Sequence, residues 1–509
     1  MIENYKLRIG QMIQNHRMSK GMTQKELAIK LNTSQSAINR IEKGGQNISV
    51  EMLIRISDVL ESDIISLNRG GKTNFRVNGG KKLSGEITVN TSKNAAVGLL
   101  CASLLNQGKT IFRHIARIEE VNRIIEVLES IGVKTRWINE HDLEINAPKQ
   151  LKLSQININA AKQTRSILMF LGPLLNQYSD FQIPFAGGCN LGKRTIAPHL
   201  SGLAPFGMQV DQFSGTDYFQ IHNSPTKPAE AIVLTERGDT VTENVIMAAA
   251  LCDRETTIRN ASANYAIQDL CFYLEKLGVR IDGIGTTTLR ITGVKKINKF
   301  VEYFISEDPI EAMSFIAASV VTDSEIAIKR APIEFLEVEL AILAEMGLEY
   351  EKSDEYKSNN GKTRLVDLLI KSSILSSSDD KIAPMPFPGV NMDNLPFMGL
   401  IATMADGRTL IHDWPYENRA IYFTELTKLG ATVELLDPHR VYISGPTKWK
   451  TTDTVAPPAL RPSVVVLLAM LAAPGTSTLR DVYNIERGYE DFAERLNSIG
   501  ADVQTFSDF

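Results

Sequence analysis

No stretch of this 509-residue chain approaches the ~18 consecutive apolar residues that a membrane-spanning helix needs. The opening MIENYKLRIGQMIQ lacks the uninterrupted apolar core of a secretory signal, so the cytoplasm is the expected compartment. Cysteine is scarce: four residues in so long a chain make no disulfide framework, and no CxxC pair marks a zinc site. Three of them, Cys101, Cys252 and Cys271, sit in LLCAS, AALCD and DLCFY, which read as apolar helix faces and therefore as packing residues. The fourth differs. Cys189 lies in PFAGGCNLGKR (residues 184–194), among Gly, Asn, Lys and Arg. Packing fits that polarity poorly, and zinc would need partner ligands that the chain does not supply.

The remaining composition, 43% hydrophobic and 22% charged, is that of a globular protein long enough for two or three domains. Its charge is unevenly placed. Residues 1–70 carry ten Lys/Arg against seven Asp/Glu, leaving 45 against 52 for the rest, so the two parts are expected to meet different partners.

In residues 1–70 the pattern predicts a small all-α domain. MTQKELAIKLNTSQSAINRIEKG holds two short helices: Thr23 with Glu26 closes a capping box on the first, and Ser34 caps the second. The segment resembles the helix-turn-helix domain of the phage-repressor (Xre/Cro) family in its TQ-x-x-LA-x-x…S-x-x-x-I-x-x-x-E-x-G pattern. That resemblance implies major-groove readout of double-stranded DNA by the second helix. Gln35, Ser36, Asn39 and Arg40 are the candidate contacts, with Gln24 (and Lys43) suited to phosphates. A module this weakly basic is expected to act as a homodimer.

Beyond residue 70 one signature recurs six times: a helix closing on glycine and running into a strand. SIGVKT, PFGMQV, KLGVRI, EMGLEY, KLGATV and SIGADV place these glycines at 132, 207, 278, 347, 430 and 500, with gaps of 75, 71, 69, 83 and 70 residues. Glycine is the usual helix C-cap because the chain must turn left-handed there. The 83-residue gap holds the polar runs EKSDEYKSNNGKTRL and SSILSSSDDK, expected to be a surface excursion.

Residues from about 75 to 509 resemble the UDP-N-acetylglucosamine enolpyruvyl transferases, whose motifs they carry at TSKNAA, QTRSILMFLGPLL, FAGGCNLGKR, YENR, LRPS and IERGYE. The fold class implied is α/β (α+β): a two-lobed inside-out α/β barrel of six βαβ-type repeats. One lobe would comprise 75–92 plus 306–509 and carry the general base, and the other 93–305 with the cysteine loop. The reaction implied moves the enolpyruvyl group of phosphoenolpyruvate to a sugar hydroxyl and releases phosphate, with no cofactor or metal. The resemblance gives Cys189 the role of general acid on a loop closing over ligand, and the proximity of Lys193 and Arg194 would favour its thiolate. It gives Lys93, Arg194 and Arg487 to phosphoenolpyruvate, and Asn94, Arg165, Arg419, Arg461 and His199 to substrate binding. Counting back from the ADG that ends the helix after FPGVNMDN puts the general base at Asp393; the nearby Asn391 cannot take a proton.

Two stretches depart from the family pattern at the nucleotide end of the acceptor. The family's Asp two residues before the histidine is missing from Thr195-Ile196-Ala197-Pro198-His199. Its Lys-x-Ser-Val-Gly-Ala-Thr loop is replaced by Glu236-Arg237-Gly238-Asp239-Thr240-Val241-Thr242, whose carboxylates would repel a diphosphate. Three functions follow: transfer to UDP-N-acetylglucosamine, the same chemistry on another acceptor, or a DNA-binding regulator that senses a ligand without turnover.

Overall fold

The computed structural model describes residues 73–185, 196–212, 218–224 and 226–507, and residues 9–59 apart from scattered positions. Two compact units divide at residue 73. In the first, helices α1 (Gln24–Lys30) and α2 (Gln35–Glu42) form where the capping residues predict. Thr23 and Glu26 satisfy each other's backbone N–H groups, and the Ala37 N–H donates to Ser34 Oγ at 3.2 Å. Ile13, Leu27, Leu31, Ile38, Ile41 and Ile56 close a small core.

A buried ion pair runs through that core: Arg17 Nε and Nη2 donate to the two oxygens of Glu42 at 2.6 and 2.9 Å. Gln24 Nε2 donates to the same carboxylate at 2.8 Å, so this side chain, expected on a phosphate, is engaged inside its own unit. Gln35, Ser36 and Arg40 stand exposed on α2, and Asn39 is half-buried. Glu42→Ala would strand the Arg17 guanidinium, at a cost of about 3–5 kcal/mol. Calorimetry should then show the helical unit melting well below the remainder of the chain.

Seven helices of the second unit bear on its cavity: α3 (Lys93–Ala102), α4 (Glu119–Ser130), α5 (Asp239–Ala250), α6 (Tyr265–Leu277), α7 (Pro309–Val321), α8 (Leu395–Ala402) and α9 (Leu460–Ala472). α3, α5, α7, α8 and α9 are apolar on nearly every side, and almost all their residues are buried. A helix apolar all round belongs inside a protein rather than on its surface. Six sheets of three to five strands enclose them, the inside-out arrangement the sequence implies.

Thr73–Gly79 lies between Gly475–Arg480 and Val503–Ser507, and Ser84–Thr88 pairs in parallel with Glu325–Pro332. Named strands between 109 and 304 pair only among themselves, Val301–Phe304 returning beside Lys109–Arg113. All six repeat glycines have φ between 94° and 104°. At Gly278 this is the αL cap of α6, whose N–H bonds back to Glu275 O, a backbone no other residue adopts cheaply.

The long fourth gap departs from expectation. Its residues are not a surface excursion: Tyr350–Lys352, Tyr356–Lys357 and Arg364–Ile370 join a sheet, and the turn between the last two docks on α6. Asn360, buried, donates to Asp269 Oδ1 at 3.3 Å and to Thr363 Oγ1 at 2.9 Å, while Lys362 sits over the Phe272 ring. Polar composition misleads here because these polar groups are satisfied by a neighbouring helix instead of by water. No described helix is long and apolar enough to cross a membrane.

Candidate active site

The N-termini of α3, α5, α6 and α9 meet at a cavity of about 330 Å³. Unpaired N–H groups at a helix start carry partial positive charge, so this convergence favours anions before any side chain is counted. Ser92 caps α3 and so sets Lys93 and Asn94 at the cavity wall. Arg461 is the second residue of α9, and Arg487 follows the short helix Tyr483–Glu486. Burial depresses the Lys93 pKa; Glu120 works against that, and Arg487 and Arg461 add to it. A lysine whose charge is disfavoured by burial and by two guanidinium groups is a lysine that an arriving anion stabilises.

Glu120 on α4 was not legible as a site residue. Burial would raise its carboxyl, yet Lys93, Thr164, Arg487 and Ser166 together hold it below the usual range. Thr164 Oγ1 donates to it at 2.5 Å, and Arg487 Nε stands 3.5 Å away. It is thus the counter-charge that orients the cations.

Asp393 precedes α8, its N–H bonded to Asn391 Oδ1 at 2.9 Å. Its two oxygens lie 3.7 Å from Arg419 Nη1 and 3.8 Å from Arg461 Nε, with part of the side chain open to the cavity. Arg419, expected on substrate, spends most of its donors elsewhere. Its Nε and Nη2 bind the wholly buried Asp413, Nη2 also reaches Met392 O at 2.6 Å, and the guanidinium lies over the Tyr416 ring. It therefore braces the backbone next to Asp393.

Asn94 Nδ2 donates to Tyr265 Oη at 2.8 Å. Arg165 and His199 also line the cavity. His199 Nδ1 accepts from Asn244 Nδ2 at 2.9 Å, and burial followed by Arg165 lowers its pKa to about 4. The unfolded chain therefore binds this proton more tightly than the folded protein. The resulting stability is complete above pH 6.5 and is lost as the pH falls toward 4. His199→Gln should lose less stability than wild type between those values, read by urea unfolding at each pH.

Cys189 and Arg194 lie outside the described residues. The other three cysteines are buried and free, as their apolar contexts predict. Among the described residues no group of three His, Cys, Asp or Glu side chains is placed to hold a metal.

An inside-out body of six sheets around buried helices, with a lysine, arginines and a carboxylate in one cavity, defines a transferase that handles anionic substrates by placement and proton transfer. The chain belongs to the EPSP synthase (3-phosphoshikimate 1-carboxyvinyltransferase) family, whose model matches residues 77–496, and it is an enolpyruvyl transferase. A helix-turn-helix model matches residues 13–67. Among curated relatives, UDP-N-acetylglucosamine 1-carboxyvinyltransferase 2 of Caldanaerobacter subterraneus subsp. tengcongensis is 32% identical over 84% of this chain and 98% of its own. The UDP-N-acetylglucosamine 1-carboxyvinyltransferase of Treponema denticola is 33% identical over the same shares. Of solved structures, the enolpyruvyl transferase NikO from Streptomyces tendae superposes with a TM-score of 0.73 at 20% identity, covering 86% of this chain and all of that one.

Proposed function

We propose that this protein transfers the enolpyruvyl group of phosphoenolpyruvate to a hydroxyl of a sugar nucleotide, with UDP-N-acetylglucosamine the first candidate acceptor, in the cytoplasm. The observation that carries this reading is the meeting of Lys93, Arg461 and Arg487 with Asp393 in one cavity. Residues 93–305 form one lobe, and 75–92 with 306–509 the other.

Lys93 and Arg487 hold the phosphate and carboxylate of phosphoenolpyruvate, a bidentate guanidinium suiting the carboxylate. Asp393 takes the acceptor hydroxyl proton as that oxygen bonds to C2, and Cys189 delivers a proton to C3. Loss of phosphate with one proton from C3 then restores the double bond as an enol ether. Asn94 and Tyr265 orient the acceptor, and Arg194 closes on the phosphate from the loop.

Phosphate release from phosphoenolpyruvate, measured with and without UDP-N-acetylglucosamine, tests the reading. Release that depends on the sugar nucleotide supports it, and no release with any sugar acceptor rejects it. Cys189→Ala should impair turnover, and fosfomycin, which alkylates the family's cysteine, should block Cys189 against other thiol reagents.

A DNA-binding role for residues 1–70 has its own support in the exposed Gln35, Ser36 and Arg40 on α2. Binding by a homodimer should weaken steeply with salt. No binding at low salt to fragments flanking the protein's own gene would reduce this unit to a docking module.

A further inference from the structure

The α5 side of the cavity differs in chemistry from the cation cluster. Glu243, 2% exposed, lines the cavity, and its Oε1 is enclosed without a hydrogen-bond partner. Room for it comes from Gly98 on α3, where a Cβ would stand 2.5 Å from Oε1. One turn earlier Asp239 accepts from Ser262 Oγ at 2.5 Å and Asn264 Nδ2 at 3.0 Å. Burial raises both carboxyls, Glu243 well above its usual range with Asp239 adding to the effect, and Asp393 adding to that on Asp239. A neutral carboxyl offers one O–H donor and one carbonyl acceptor. Buried polar groups are nearly always bonded, so an unpaired one at a cavity wall is a vacancy for a ligand's partner group.

Two ends of one small cavity therefore ask for different things. Lys93, Arg461 and Arg487 serve the two anionic groups of phosphoenolpyruvate. What remains for the acceptor is a wall where added negative charge meets Asp239 and a carboxyl already driven neutral. We propose that Asp239 and Glu243 select the acceptor: they take an uncharged sugar face offering hydroxyl or amide N–H groups, and they disfavour a phosphate in the same cavity. This rests on the transferase reading above, since it concerns the acceptor of that reaction.

The test is calorimetric titration of the full-length protein with N-acetylglucosamine and with its 1-phosphate, for wild type, Asp239→Asn, Glu243→Ala and Glu243→Gln. Asp239→Asn should shift the ratio of the two affinities at least tenfold toward the phosphorylated sugar. A variant that is merely destabilised moves both ligands together and leaves the ratio alone. Glu243→Ala should weaken the uncharged sugar at least fivefold, and Glu243→Gln should restore it, because an amide reproduces the donor and acceptor of a neutral carboxyl. An unchanged ratio in Asp239→Asn, unchanged sugar affinity in Glu243→Ala, or no sugar binding by any form overturns the proposal. Phosphate release followed alongside separates the two readings. Absent release with a shifted ratio rejects the transferase reading alone, and release with a flat ratio rejects the acceptor wall alone.

Discussion

Asp393→Ala is expected to slow phosphate release by about 10²–10⁴-fold, the usual contribution of a positioned general base. The carboxylate stands between Arg419 and Arg461, at 3.7 and 3.8 Å, and reaches the cavity. Two adjacent cations favour its ionised form, the one that accepts a proton. Asn391, on the same loop, has an amide that cannot accept one, so no neighbour substitutes. The KM for phosphoenolpyruvate should not rise, because the change removes a negative charge from beside the cations. Asp393→Asn separates shape from proton transfer: it keeps the size and loses the base, and should be as slow as alanine. Steady-state kinetics within tenfold of wild type for either variant would take the role of base away from Asp393.

The second large effect is on stability and reaches the site indirectly. Asp413 is wholly buried and receives Arg419, itself 3% exposed. Burial pushes the Asp413 carboxyl up, and Arg419 works against that. Asp413→Ala would leave a buried guanidinium without its partner, costing about 3–5 kcal/mol. Arg419 also holds the Met392 carbonyl, the residue before Asp393, so turnover should fall with stability. Urea unfolding and phosphate release on the same preparation measure both. A stability loss under about 1 kcal/mol would show that water reaches the pair and that the brace is weaker than its burial implies.

What was legible in the sequence was the part written in local pattern. The repeat glycines announce six helix ends because a left-handed cap needs glycine wherever it occurs, and each adopts that backbone. Thr23, Glu26 and Ser34 announce their caps for a similar local reason. Lys93, Arg165, Arg461, Arg487 and Asp393 were found through motif resemblance, and the fold brings them to one cavity.

Residues whose meaning lies in tertiary neighbours were missed. Glu120 reads as an acidic start to an amphipathic helix, which it also is, and nothing local says that Lys93 and Arg487 stand over it. Glu243 sits in a run that reads as a buried helix, and its unpaired oxygen exists only because Gly98 passes close by. Asp413 looks like the end of a strand, and only folding reveals that Arg419 returns to it. Gln24 has the donors for phosphate, yet Glu42, eighteen residues on, takes one of them.

The placement of Thr73–Gly79 between two strands from the far end of the chain has a consequence for biosynthesis. On the ribosome the helical unit is complete before this strand emerges, but the neighbours on both its edges are the last parts made. At ordinary elongation rates of about 5–20 residues per second, the strand waits roughly 20–90 s with both edges unpaired. Phe75 and Val77, buried in the finished sheet, are in water for that whole interval. An unpaired strand with apolar side chains is a template for association with other nascent chains. The need of this protein for chaperones during translation is therefore set by the order of its chain.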